Sequence, residues 1–308
     1  MSFYEHATEF AGKPVVDFAR GGAISDPEGT NYRIRLEYED EDTITGLLTE
    51  LLEDPAAERL TGLVVGAWSG ELWDADASET VEALVAAAPQ LPSLRALFIG
   101  DIISEENEVS WIKQTDVSPL WTAFPKLEHL QLRGSDGLSL GHVAHDALKS
   151  LTIQCGGLPA SVLQQIADSQ LPLLERLVLY LGTEDYGFDG GIESVAPLLS
   201  ASFPRLTHLG LCDSDIADEV AVAVTTSPLL EQISTLDLSL GTLGDEGAQA
   251  LLDCPAVAKL ERLVIDHHYI SDDLVKRLRS LPIATDISEP QQPDEYDGEI
   301  YRYISVSE

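Results

Sequence analysis

Few residues in this 308-residue chain have the types and spacings that do chemistry. His142 with His145, and the neighbours His267 and His268, would offer imidazoles for proton transfer or metal binding. No H-E-x-x-H accompanies them, and His142 and His145 fall in a short connection where surface histidines are expected. The loop EDYGFDGG (184–191) is acidic but lacks the D-x-[DN]-x-[DN]-G spacing of a calcium loop, so its glycines read as an insertion. Neither a G-x-S-x-G, a P-loop nor a dinucleotide-binding glycine fingerprint occurs. The expectation is a protein that is not an enzyme, with no catalytic residues, no metal and no cofactor. Cys155, Cys212 and Cys254 form no C-x-x-C pair and read as buried free thiols.

A different chemistry survives this reading. His129, Arg133, Arg176, Tyr180, His208, Asp237, Arg262 and Asp266 all occupy equivalent positions of one recurring pattern. Arginines so placed hold carboxylates bidentately, which suits an acidic protein segment or another anionic group.

The pattern that positions them is L-x-x-L-x-L. It starts at Leu60, Leu94, Leu127, Leu148, Leu174, Leu206, Ile233 and Leu260, eight copies in all. Within Leu260-x-x-Leu263-x-Ile265 the apolar residues are two apart, so on a strand they share one face, while Arg262, Val264 and Asp266 share the other. The spacing then changes to that of a helix in SDDLVKRLRSLP (271–282), where Leu274, Leu278 and Leu281 line one side. A strand followed by a helix cannot bury its own apolar face, so neighbouring units must stack.

Helices are expected at 44–54, 78–92, 116–125, 159–172, 192–204, 217–228, 244–255 and 271–282; seven of the eight, all but 44–54, end at a proline. Acids such as Asp218, Glu219, Asp245 and Asp272 sit in or near first turns and read as caps. The stretch 134–147 is too short for a helix and reads as a loop. Of the tryptophans, Trp121 belongs in a helix core, while Trp68 and Trp73 either pack the first turn or form an exposed aromatic patch.

Three divisions follow. Residues 1–42 carry two β-prone runs, 13–19 and 31–38, read as a hairpin-like N-terminal β cap with an acidic run, 37–42, at its exposed end. Residues 43–282 form the repeats. Residues 283–308 are an acidic tail or cap, whose segment 300–306 either pairs back onto the last strand or is disordered.

The eight motifs, and the run L-x-D-E-G-A-x-A-L-L from Leu243 to Leu252, resemble ribonuclease-inhibitor-type leucine-rich repeats. The resemblance covers about residues 44–282 and implies an α/β leucine-rich-repeat solenoid, a horseshoe with a curved parallel sheet on its concave face and helices on its convex face. More narrowly, the chain is similar to a family of stand-alone bacterial leucine-rich-repeat proteins of uncharacterised function. That family's genes tend to neighbour ATP-grasp and radical-SAM-like enzymes, which implies a protein partner. The chain departs from the pattern at the ninth repeat position, usually Asn or Cys and here Trp68, Ile102, Ser135, Gly156, Gly182, Ser214, Gly241 and His268.

Charge sets the remaining bounds. With 18 Lys and Arg against 53 Asp and Glu, the net charge of −35 repels phosphate backbones and anionic lipid, so neither nucleic acid nor membrane is an expected partner. No apolar run suits a signal peptide or a membrane span, and a cytoplasmic location is expected. Of the 24 outward strand positions only Asp237 and Asp266 are acidic. That sparing either marks a recognition surface or reflects the low strand propensity of Asp and Glu. Two functions stay open. One is a non-enzymatic scaffold or adaptor that binds a protein on the concave face, itself monomeric apart from that partner. The other is an accessory or substrate-presenting subunit of a modifying enzyme.

Overall fold

The computed structural model describes residues 3–38, 40, 42–72 and 74–306. Trp73 and two members of the acidic run, Glu39 and Glu41, lie outside the described residues. The described residues form two compact units, the first within 3–154 together with 169–172, and the second 155–168 together with 173–306.

In the first unit the strands are β1 (Glu9–Phe10), β2 (Lys13–Asp17), β3 (Asn31–Ile34), β4 (Gly62–Val65), β5 (Ala96–Ile99), β6 (His129–Arg133) and β7 (Ser150–Gln154). From β2 onward each pairs in parallel with the next. Helices α1 (Ile44–Glu53), α2 (Ser78–Ala87) and α3 (Pro119–Ala123) connect strands, and none is present between β6 and β7, as the 134–147 loop requires. The hairpin expected between 13–19 and 31–38 is not formed, because β2 and β3 run parallel. Their long connection suits a crossover, and antiparallel pairing occurs instead across the two-residue turn from Phe10 to Lys13.

The second unit alternates α4 (Ala160–Ala167), β8 (Arg176–Gly182), α5 (Ile192–Leu199), β9 (His208–Ser214), α6 (Ala217–Thr225), β10 (Thr235–Asp237), α7 (Asp245–Asp253), β11 (Arg262–His268), α8 (Asp272–Arg279) and β12 (Ala284–Pro290). Strands β8 to β12 form one parallel ladder. A separate hairpin follows, β13 (Asp294–Tyr296) with β14 (Glu299–Tyr301). Thus 284–290, read from the sequence as tail, is a further strand. Segment 300–306 does not pair with β11; instead Ser305 N–H donates to Leu240 O, and Ile304 and Val306 are buried.

The motif leucines are the core: Leu63, Leu97, Leu151, Leu177, Leu209, Leu236 and Leu263 are all fully buried on the helix side of their strands. Among the described residues no helix is long and apolar enough to cross a membrane. The acids near helix starts serve the following repeat more than their own. Asp218 accepts from Gly244 N and Gly247 N at the start of α7, and Asp245 accepts from Ser271 N before α8. These carboxylates thus cap a neighbour's free N–H groups and tie successive repeats together.

The ninth position keeps part of its role. Ser214 Oγ accepts from Ile216 N and His268 Nδ1 accepts from Ile270 N, side chains replacing the missing Asn. Where glycine stands, backbone approach is the reason. Gly182 has φ 75°, and a Cβ there would meet Gly156 O at 1.8 Å. Gly182→Ala is expected to cost more than about 3 kcal/mol in urea unfolding, because the conformation and the space are both forbidden to alanine.

Candidate recognition face

Successive strand residues point alternately toward helices and away from them, so the parallel register writes rows across the outward face. In the second unit the first row is Arg176, His208, Thr235, Arg262 and Ala284. The second is Val178, Gly210, Asp237, Val264 and Asp286; beyond it Tyr180 pairs with Cys212 and Asp266 with Ser288, with Ser239 Oγ, just past β10, 3.8 Å from Cys212 Sγ. Five of the predicted site residues that share this face, Arg176, His208, Asp237, Arg262 and Asp266, form a polar rim. Val178, Tyr180 and Cys212 are its buried floor.

The rim is not uniformly available. Arg262 Nη2 pairs with Asp286 at 3.1 Å, and Asp266 accepts from Ser288 Oγ at 2.7 Å. Asp237 Oδ1 accepts from both the amide and the hydroxyl of Ser239. Arg176 is exposed and meets no carboxylate at ion-pair distance among the described residues; its Nη1 lies 2.7 Å from His208 Nε2. A guanidinium only donates, so this Nε2 is the acceptor and His208 is neutral with its proton on Nδ1. Burial, and then the charges of Arg176 and Arg262, push the His208 pKa down to about 4, against the pull of Asp237. An NMR titration is therefore expected to show His208 neutral throughout pH 5 to 8; a midpoint at the ordinary histidine value of 6.5 would show the contact absent.

In the first unit the predicted residues have another fate. Arg133 stands at an outward position but is wholly buried. Its guanidinium donates to Ile102 O and Gln154 Oε1 and lies 4.8 Å from the Phe3 ring and 5.5 Å from that of Phe98. It is a structural cation here, because residues 3–11 fold across the outward face. Ala7 and Phe10 pack on Val64, Ala96 and Phe98, with Ala11 and Val15 beside them. His129 is half-buried on the same strand as Arg133. His145, expected at the surface, is buried: its Nε2 is 3.0 Å from Phe124 O and its ring stacks edgewise on Trp121. Trp121 and Trp68 are both buried, so Trp68 packs the turn. Cys155 and Cys212 are buried free thiols, and Cys254 is partly exposed. Among the described residues no three His, Cys, Asp or Glu converge as metal ligands.

The residues that sequence reasoning missed are the anchors of the two covering segments. Asp101, fully buried, accepts from Ala7 N on both oxygens (3.1 and 3.2 Å) and pairs with Arg33 Nη1 at 2.8 Å. Burial depresses the Arg33 pKa, but its bonds to Asp17 and Asp101 and their charges prevail and raise it. In the second unit Asp213, also fully buried, accepts from Val306 N at 2.9 Å, and Arg302 Nη1 pairs with Asp218 at 3.1 Å. Arg302 answers a cleft of about 540 Å³ that Asp215, Asp218, Glu219 and Glu246 otherwise make acidic. No local motif marks Asp101 or Asp213, whose partners are 94 and 93 residues away.

Within each unit, parallel strands alternating with helices make an α/β repeat fold compatible with a leucine-rich-repeat-like solenoid. The structure is similar to the crystal structure of a Bacteroides fragilis protein determined by structural genomics, with a TM-score of 0.80 and 37% identity over 89% of this chain and 76% of that one. The chain belongs to the same family as that protein. No family model and no curated protein matches it.

Proposed function

We propose that the chain is a non-enzymatic protein-binding scaffold or adaptor, of the stand-alone bacterial leucine-rich-repeat kind that its motifs resemble. In this reading the second unit engages a partner through the outward face of β8 to β11. The observation that supports it is Arg176. In a chain with 53 acids against 18 bases, this arginine is exposed on a sheet face, its direct contact is a neutral histidine, and Asp237 acts on it only from beyond ion-pair distance. A guanidinium left so is completed by a carboxylate from outside, on an apolar floor of Val178 and Cys212. In the first unit the predicted Arg133 is instead buried beneath Phe3.

The test is affinity capture from native lysate with wild type and Arg176→Glu/Arg262→Glu, after circular dichroism shows both folded. The partner is expected to be retained by wild type and reduced at least about tenfold by the variant, the scale for losing one buried-rim ion pair and adding repulsion. Equal retention would move the interface off this face. The accessory-subunit reading is the case in which the retained partner is an ATP-grasp or radical-SAM-like enzyme.

A further inference from the structure

The covering of the first unit's sheet has the form of a bound peptide. Residues 3–10 cross the strands and run beside β2 only at their end, where Glu9 and Phe10 pair with it and Thr8 O accepts from Val15 N at 2.9 Å. Four of the segment's main-chain groups are taken by groups outside that pairing. Phe3 O accepts from Ser104 N (2.9 Å), Ala7 N donates to Asp101, Ala7 O accepts from Arg33 Nη1 (3.1 Å), and Phe10 O accepts from Asn31 Nδ2 (2.6 Å). Arg33 and Asp101 thus bracket one residue, Arg33 donating to the Ala7 carbonyl and Asp101 accepting from the Ala7 amide, and hold each other at 2.8 Å beneath it. His6 adds contacts to Asp101 O and Glu106. Three side chains turn inward: Phe3 against the Arg133 guanidinium, Ala7 buried in the cluster of Val64, Ala96 and Phe98, and Phe10 on the Phe98 ring at 5.7 Å. Tyr4, Glu5, Thr8 and Glu9 face solvent.

We propose that the outward face of β3 to β6 is a peptide-binding groove, with residues 3–10 as its resident ligand. Its external ligand is an extended segment of a partner protein bearing an aromatic residue, a small residue four positions later and a second aromatic three beyond that. Main-chain recognition by the Arg33–Asp101 pair supplies affinity for any extended chain, and the three side-chain seats supply specificity. The pair also explains why the groove is never left bare: a buried carboxylate without its amide donor is costly, so the resident covers it until a competing segment arrives. This site is separate from the second unit's face and stands or falls independently of it.

The probe is a fluorescein-labelled synthetic peptide with the sequence of residues 3–11, titrated by anisotropy into the full chain. In Phe3→Ala/Phe10→Ala the resident is loosened while Arg33, Asn31, Asp101 and Arg133 remain. Hydrogen exchange is expected to show residues 3–11 released in this variant. The peptide should bind it at least about tenfold tighter than wild type, because occupancy by the resident lowers apparent affinity by the vacant fraction. Peptides with Ala7→Glu or both phenylalanines replaced should not bind. Should the double variant lose its circular dichroism, Ala7→Glu in the full chain serves as the released form. Release without saturable peptide binding would overturn the proposal, as would binding indifferent to the inward side chains.

Discussion

Asp101→Ala is expected to lower the unfolding free energy by about 3–5 kcal/mol, the scale for removing one partner of a buried ion pair. Asp101 is fully buried, and its loss removes the acceptor for Ala7 N and the buried one of Arg33's two carboxylates. What remains for Arg33 is Asp17 at 2.6 Å, itself half exposed, and the carbonyl of Ala7, whose residue was held in place by the N–H hydrogen bond just lost. The effect should therefore be larger than a neutral hydrogen bond and should be felt at both ends of the covering segment. Urea unfolding read by circular dichroism measures the free energy, and hydrogen exchange reads residues 3–11. A loss under about 1 kcal/mol would mean that the segment lies on the sheet without being anchored through this carboxylate.

Asp213→Asn should act in the opposite direction, stabilising the chain, and increasingly so as pH rises. Burial is the main cause that raises the Asp213 pKa from the usual 3.8 to about 8, against the amides of Val306 and Ser305, which lower it. The native state therefore holds a proton that the unfolded state has released between these two values. Stability linked to this group is complete below about pH 4 and is lost as pH rises through about 8. Asparagine carries no charge at any of these pH values, keeps an acceptor for Val306 N and tolerates the left-handed backbone, φ 53°, found here. The two proteins should be alike near pH 4 and differ by up to about 5 kcal/mol at pH 8, the free energy of four pKa units. A difference independent of pH would show that Asp213 is ionised throughout. Asp213, Leu240, His267 and Glu289 share this left-handed conformation at the ends of β9 to β12, and the tail docks against the first three through Val306, Ser305 and Tyr303.

The repeat frame was legible because it is periodic. Leu263 and Ile265, two apart, and Leu274 with Leu278, four apart, dictate strand and helix from local spacing alone, and all eight helices lie where the spacing put them. The rows of the second unit's face follow from the same alternation, so Arg176, His208, Asp237 and Arg262 are neighbours there as the strand positions require. What the spacing could not reveal is non-periodic. Residues 3–11 and 302–306 carry no repeat, and their seats are built by single residues, Asp101 and Asp213, far away in sequence. Hence Arg133, outward by alternation, is buried by a segment that alternation does not describe. Strand β12 was missed for a related reason: ATDISEP lacks the leucines of the motif, and Ile287 alone is buried among its residues.

The central claim, that β8 to β11 present the partner surface, is tested most directly by hydrogen exchange of the full chain with and without its captured partner. Slowed exchange is predicted in β8 to β11 and at the connection following each strand, with α4 to α8 unchanged and with the protection abolished by Arg176→Glu. Protection confined to the helices or to the hairpin of β13 and β14, with the strands unaltered, would contradict it.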